Sequence, residues 1–310
     1  MNNNIIDLHC DTISVITKSG ESLFSNNCHF DIQRAKKAGI GLQFFALFSM
    51  PGGMNDSLRQ ILKQIYKFHA QISQYPDDLQ LILSYEDIKG LSKENKIGCL
   101  LHLEGGDALG NDMEILYLLH ELGLRSLALT WNNRNLLADG VGEDPDGGGI
   151  SKKGRECIKV LDELGIILDL AHASTRSFYE ALELYTKPVL VSHANARAIC
   201  GHCRNLDDSQ LRLLANNGGV IGINLVPDFI KEDAFPTFDD LLDHVVYIAE
   251  LIGVEYLALG SDFDGDDILL MSGVEEYTKW RELLSKRGFN DHEIDLILRE
   301  NALRVIKAVL

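Results

Sequence analysis

The chain has 310 residues, 45% of them hydrophobic and 24% charged, ordinary values for a folded protein with room for one large domain or two small ones. Its 46 acidic residues against 29 basic ones give a net charge of −17, which repels phosphate backbones and speaks against a nucleic-acid partner; "SKKGR" at 151–155 is the nearest thing to a basic run, and it is short. No apolar run reaches transmembrane length, and the opening "MNNNIIDLHCDT" has neither a basic n-region nor a long apolar stretch, so we expect a cytoplasmic protein without a membrane partner.

In chain order, short β-rich apolar runs alternate with longer amphipathic stretches. Strands are expected at 4–9 (NIIDLH), 41–48 (GLQFFALF), 97–104 (IGCLLHLE), 126–131 (SLALTW), 165–172 (GIILDLAH), 188–193 (PVLVSH), 219–225 (GVIGINL) and 256–263 (YLALGSDF). Helices are expected at 54–74, 112–122, 152–164, 174–185, 208–217 and 237–252, with a last one at 290–309. Nearly continuous apolar strands, most of them followed by a helix, indicate a parallel sheet covered on its other face. Eight such units in this length predict a (β/α)8 TIM-like barrel, here a single domain over 1–310. An open doubly wound sheet would want a glycine-rich phosphate turn after the first strand, which instead runs straight into "HCDT". The glycine-dense "DGVGEDPDGGG" at 139–149 has no G-x-G-x-x-G match and reads as a long loop over the barrel mouth, expected to wall any pocket there together with "NLVPDF" at 224–229.

The strand ends carry the chemistry. They read "DLHCD", "HLE", "LAH", "SH" and "SDFD", and in a barrel of this kind the C-terminal strand ends converge. His9 and Asp11, two apart, are expected to point the same way, joined by Glu104, His172, His193 and Asp262. Three imidazoles and three carboxylates around one mouth make the nitrogen and oxygen donor set of zinc or a similar divalent ion, and six groups exceed what one tetrahedral ion needs. That favours two metal ions with a bridging carboxylate. His102, two residues before Glu104, is expected just beneath the site; the remaining histidines read as surface or helix-packing residues. The "CGHC" at 200–203 has the spacing of a redox pair but lies well past its strand rather than opening a helix, so no thiol chemistry is expected of it. The six cysteines read as buried small hydrophobes or site neighbours.

With these residues in place, the chain resembles the membrane (renal) dipeptidase family of the amidohydrolase superfamily. The resemblance is carried by "DLHCDT", "HLEGGDAL", "LGLRSLALTWN", "LGIILDLAHAS", "PVLVSHANARAICGHCRN", "ALGSDFDG" and "ENALRVIK", which follow the family's order from residue 7 to 307. It implies a binuclear zinc site in a distorted barrel, with His9 and Asp11 on one ion, His172 and His193 on the other, and Glu104 between them. It implies Asp262 as general acid/base beside a metal-bridging hydroxide, and Arg204 as the anchor for the α-carboxylate of a dipeptide substrate. It also implies a possible homodimer. One position departs: the family's better-known members carry, where this chain has Trp131, a histidine assigned to holding the oxyanion. Trp131 offers only an indole N–H, so Asn132, Asn133 or His102 is the expected substitute donor, and Trp131 and Asn132 are expected to touch substrate. Two other readings share the same residues: hydrolysis of N-acyl amino acids or other amides, and a metal-binding homologue without turnover.

Overall fold

The computed structural model describes residues 5–50 and 53–310. Nine parallel strands form its centre: β1 (Ile5–Cys10), β2 (Ile40–Phe48), β3 (Leu79–Leu81), β4 (Ile97–Glu104), β5 (Leu124–Ala128), β6 (Ile167–Asp169), β7 (Leu190–Ala194), β8 (Val220–Ile223) and β9 (Leu257–Leu259). Neighbours run β2-β1-β9-β8-β7-β6-β5-β4, and β2 pairs with β4 from Leu42–Gly98 to Phe48–Glu104, which closes eight strands into a (β/α)8 barrel. Residue 4, expected to begin the first strand, lies outside the described residues.

The strand β3 was not expected. It pairs with the start of β4, at Ile97–Cys99, while β5 takes over the same edge from Leu101 onward. At three residues it is too short to show a period, and "QLIL" after the 54–74 helix reads equally well as a loop. The helices Met54–Gln74, Lys152–Leu164, Thr175–Leu184, Asp208–Asn217 and Phe238–Ile252 lie where they were expected. Their starts are set by local chemistry: Ser151, Ser174, Asp207 and Thr237 each accept a backbone N–H of the first turn. Two short helices between β1 and β2, Thr12–Ser19 and Ile32–Ala38, escaped the reading because neither is long enough to show an amphipathic repeat. Among the described residues, no helix is long and apolar enough to cross a membrane.

Leu8, Phe44, Leu100, Ile167, Leu190, Val220 and Ala258 come from seven different strands and form one buried cluster, so they fill the barrel lumen. Val305 and Ile306 of the last helix, Asn301–Val309, belong to the same cluster and plug the end where the strands begin. A larger apolar layer, including Phe45, Leu101, Leu103, Leu127 and Ile221, lies between the strands and the surrounding helices.

Candidate active site

At the opposite end the lumen changes character. Glu104 is the last residue of β4, and His9 and His193 sit within β1 and β7. Both of these strands slip register at the histidine, between Asp7 and Cys10 and between Val191 and Ala194. Such irregularities re-aim side chains at barrel rims. In β1 the slip lets the consecutive residues Leu8 and His9 both face inward, Leu8 in the apolar cluster and His9 with its ring 4.0 Å from that of His193. In β7 it pushes the Ser192 carbonyl into the lumen, which the sequence accommodates with Gly222 in β8 and Gly260 just after β9. A Cβ at Gly222 or Gly260 would stand 2.0 Å or 1.7 Å from that oxygen.

The other three ligand candidates lie beyond their strands rather than in them. Asp11 follows β1 and begins the helix Thr12–Ser19. His172 and Asp262 each lie three residues past the end of their strands, β6 and β9, with φ of 66° and 63°. L-residues adopt this left-handed region seldom and at a cost, and non-glycine examples gather at functional sites. The apolar runs therefore overshot the strands, because the pairing stops where the backbone turns these two side chains into the mouth.

All six side chains meet there. His9 Nε2 is 3.1 Å from Asp11 Oδ2 and 3.8 Å from both Glu104 Oε2 and Asp262 Oδ1. His172 Nε2 is 2.9 Å from Glu104 Oε1, and His193 Nε2 is 3.8 Å from the same oxygen. The donor set fits cations on a further count. His172 Nδ1 faces Asn132 Oδ1 at 2.7 Å, and His193 Nδ1 faces Ser192 Oγ at 2.8 Å, an oxygen that itself donates to Asp169 Oδ2 at 2.5 Å. With both Nδ1 atoms donating, both Nε2 atoms present lone pairs, and these stand only 2.9 Å apart. Two facing lone pairs repel, and a cation is what reconciles them. The outer partners orient the ligand rings as they do in metal sites generally.

Electrostatics point the same way. Burial opposes a charge on His9, but Glu104, Asp11 and Asp262 outweigh it and push the imidazole up to about 10. Burial, with Arg204 and His9 adding to it, holds His172 and His193 well below the ordinary range, so both are neutral and ready to ligate. Burial and then Asp11 raise Glu104 well above its ordinary value, and burial raises Asp262. Packed carboxylates that resist ionisation together are relieved when positive charge arrives.

The cluster floors a cavity of about 400 Å³ whose lining includes Asp11, Glu104, Trp131, Asn132, His172, His193, Arg204 and Asp262, and excludes His9, which lies beneath. Arg204 is buried, gives Nη2 to the His193 carbonyl at 3.2 Å and stacks over Phe229 at 5.6 Å, while its Nε has no partner. Among the described residues no carboxylate comes within ion-pair distance of it. Trp131 and Asn132 line the cavity. Asn133 and His102 do not. His102 packs edge-on beneath His9 at 5.6 Å, its Nδ1 3.0 Å from Ser126 Oγ, and burial keeps it neutral, down to about 4.

The 139–149 loop also departs from expectation, for none of its residues lines the cavity. It buttresses instead: a Cβ at Gly140 would lie 2.2 Å from the Trp131 carbonyl, and Gly142 N–H donates to the Asn132 carbonyl at 2.8 Å. By contrast Val226, Asp228 and Phe229 do wall the pocket. In "CGHC", Cys200 is buried, Cys203 is exposed, and both are free thiols.

Several contributors were missed. Asn224 donates Nδ2 to Asp262 Oδ2 at 3.0 Å, and its Oδ1 accepts the Val226 N–H at 2.6 Å, which fixes which way the amide faces. Asn195 holds the Asn224 backbone from both sides and donates its own N–H to Asn205 Oδ1 at 3.0 Å, so one asparagine chain ties the Asp262 contact to the loop bearing Arg204. Asp169 and Phe48 were also passed over. The only sequence signal for Asn224, Asn195, Asp169 and Phe48 is position, at or just after a strand end; Asn205, in the loop after β7, has none.

Comparison with known proteins places these features. The profile of the membrane dipeptidase family (peptidase family M19) matches residues 1–310. The chain is 30% identical over 295 residues to dipeptidase tcpJ of Claviceps purpurea, covering 91% of this chain and 69% of that one. It is 32% identical over 295 residues to dipeptidase aclJ of Aspergillus oryzae, covering 89% and 69%. Among solved structures, a metallopeptidase from Rhodobacter sphaeroides liganded with a phosphinate mimic of the dipeptide L-Ala-D-Ala superposes with a TM-score of 0.93. That match covers 99% of each chain at 22% identity, a likeness of fold.

Proposed function

The chain belongs to the membrane dipeptidase family, and on that premise we propose that it hydrolyses dipeptides bearing a free C-terminal carboxylate, with two divalent cations, zinc by preference, as cofactors. His9 and Asp11 would hold one ion, His172 and His193 the other, and Glu104, which approaches both sets, would bridge them. When bound, such a pair supplies Lewis-acid polarisation of the scissile carbonyl and a water acidic enough to attack at neutral pH. The chain's own residues do the rest.

Asp262 takes the proton of the attacking water and passes it to the leaving amine nitrogen. Its Oδ2 is held by Asn224, so Oδ1, the oxygen nearer His9, is the one free to act. Arg204 carries the substrate reading: a buried guanidinium without an ion-pair partner, in the same cavity as the donor cluster, is relieved by a carboxylate from outside. It restricts good substrates to those whose free carboxylate lies one residue from the cut. Asn132 is an orienting partner of His172 before it is a donor to substrate. The six unpaired cysteines suit a reducing compartment, and we place this single-domain enzyme in the cytoplasm, as a possible homodimer.

The test is release of free amino acids from dipeptides, their C-terminal amides and their N-acetylated forms by the zinc-loaded protein. Cleavage of free dipeptides but not amides, abolished in Asp262→Asn, is the expected result. Preference for N-acylated substrates would move the assignment to an acylase, and no turnover with two ions bound would leave a binding protein.

A further inference from the structure

We propose that Phe48 and Trp131 form a rigid subsite for a large apolar side chain on the N-terminal residue of the substrate, so that leucine- or phenylalanine-first dipeptides are preferred over glycine-first ones; the inference rests on the dipeptidase reading above. Phe48 ends β2 directly opposite Glu104 in the pairing of β2 with β4. On the other side Glu104 pairs with Ala128, and Trp131 follows three residues later. The two rings thus bracket Glu104 from its two neighbouring strands. They meet above it at 5.5 Å between centroids with planes at 52°, and the indole also leans on His172 at 6.1 Å.

The ring order of the strands then sets the direction of the substrate. In the closed barrel β7 lies diametrically opposite β2, and β8 opposite β4. Arg204 follows β7 and Phe229 follows β8, so the carboxylate anchor and the aromatic pair stand on facing walls with the donor cluster between them. A dipeptide whose carboxylate is held at Arg204 and whose scissile bond lies over the cluster carries its N-terminal residue toward Phe48 and Trp131. Both rings line the cavity, with Met50 at the rim. The charged lining residues Lys18, Asp228, Asp264 and Asp266 lie on other segments: the helix after β1, the turn after β8 and the loop after β9.

The wall is preorganised rather than adaptable. The Trp131 carbonyl is in such close contact with the 139–149 loop that no Cβ fits at Gly140. A fixed apolar surface discriminates by the area it covers, and a few methylenes are worth roughly ten- to a hundredfold.

The test compares kcat/KM of the metal-loaded protein for Gly-Ala, Ala-Ala, Leu-Ala, Phe-Ala, Glu-Ala and Lys-Ala. Leu-Ala and Phe-Ala are expected to exceed Gly-Ala by at least about tenfold, mainly through KM. That ratio should fall by about tenfold in Trp131→Ala and in Phe48→Ala and be largely kept in Trp131→Phe. A readout independent of turnover is available because the chain has only two tryptophans and the other, Trp280, is buried. Titrating Asp262→Asn with the same peptides should perturb Trp131 fluorescence in the same order of affinity. A flat profile across the six peptides, or a ratio that survives both alanine variants, overturns the subsite while leaving the dipeptidase reading intact. Cleavage of none of them overturns the parent reading and the subsite with it.

Discussion

The two ends of the barrel lumen are built from the same strands by opposite rules. Where the strands begin, Leu42, Phe44, Leu100, Val220 and Ala258 fill the space as a dry core and the final helix seals it. Where they end, His9, Glu104, His193 and their neighbours occupy the continuation of that lumen with buried ionisable groups that repel, crowd or leave one another unpaired. The bottom follows strand alternation; the top needs two register slips, two left-handed residues, and glycine within β8 and just after β9. One end is optimised for stability, and the other holds unfavourable groups together until cations and a carboxylate arrive.

That contrast can be broken at each end. At the mouth, Glu104→Gln removes the one carboxylate that approaches both histidine sets; metal content should fall below two per chain and kcat/KM by at least about 10⁴-fold, with thermal stability of the metal-free protein unchanged or raised. Asp262→Asn should lower kcat by about 10³-fold or more while both ions remain, as read by metal analysis beside kinetics. Gly260→Ala should cost the mouth both function and stability, because its Cβ would collide with the Ser192 carbonyl and displace the slip that aims His193; loss of metal and a lower melting temperature are expected from one methyl group. At the bottom, Phe44→Ala should cost about 3–5 kcal/mol of stability in denaturant unfolding while kcat of the folded fraction stays within about twofold. The smallest effect belongs to Asn224→Ala. It frees the Asp262 carboxylate to rotate, and kcat should fall by about tenfold with KM and metal content unmoved.

How much of this was legible in the sequence follows the same division. Wherever an apolar run alternates with a long helix, the eight barrel strands and their coverings read directly, and the six ligand and base candidates stood out because charged residues ended those runs. The three-residue β3 and the short helices after β1 lay below the length at which periodicity appears. The register slips were invisible, since His9 and Asp11 as alternate strand residues gave the right neighbours by the wrong route: Asp11 is already past the strand. Asn224, Asn195 and Asn205 act through hydrogen bonds between segments about 10 to 40 residues apart, and no local pattern marks an asparagine as such a tie. The glycine-rich loop was read as a wall because its composition suited an exposed loop; its work is to hold Trp131 and Asn132 in place.

The most direct measurement is the number of divalent ions bound per chain after zinc loading and dialysis, by plasma mass spectrometry, in the wild-type protein and in Glu104→Gln. Two ions in the wild type and a loss in the variant are predicted. A wild-type protein that retains none, or a variant that retains both, would contradict the account of the mouth as a two-cation site.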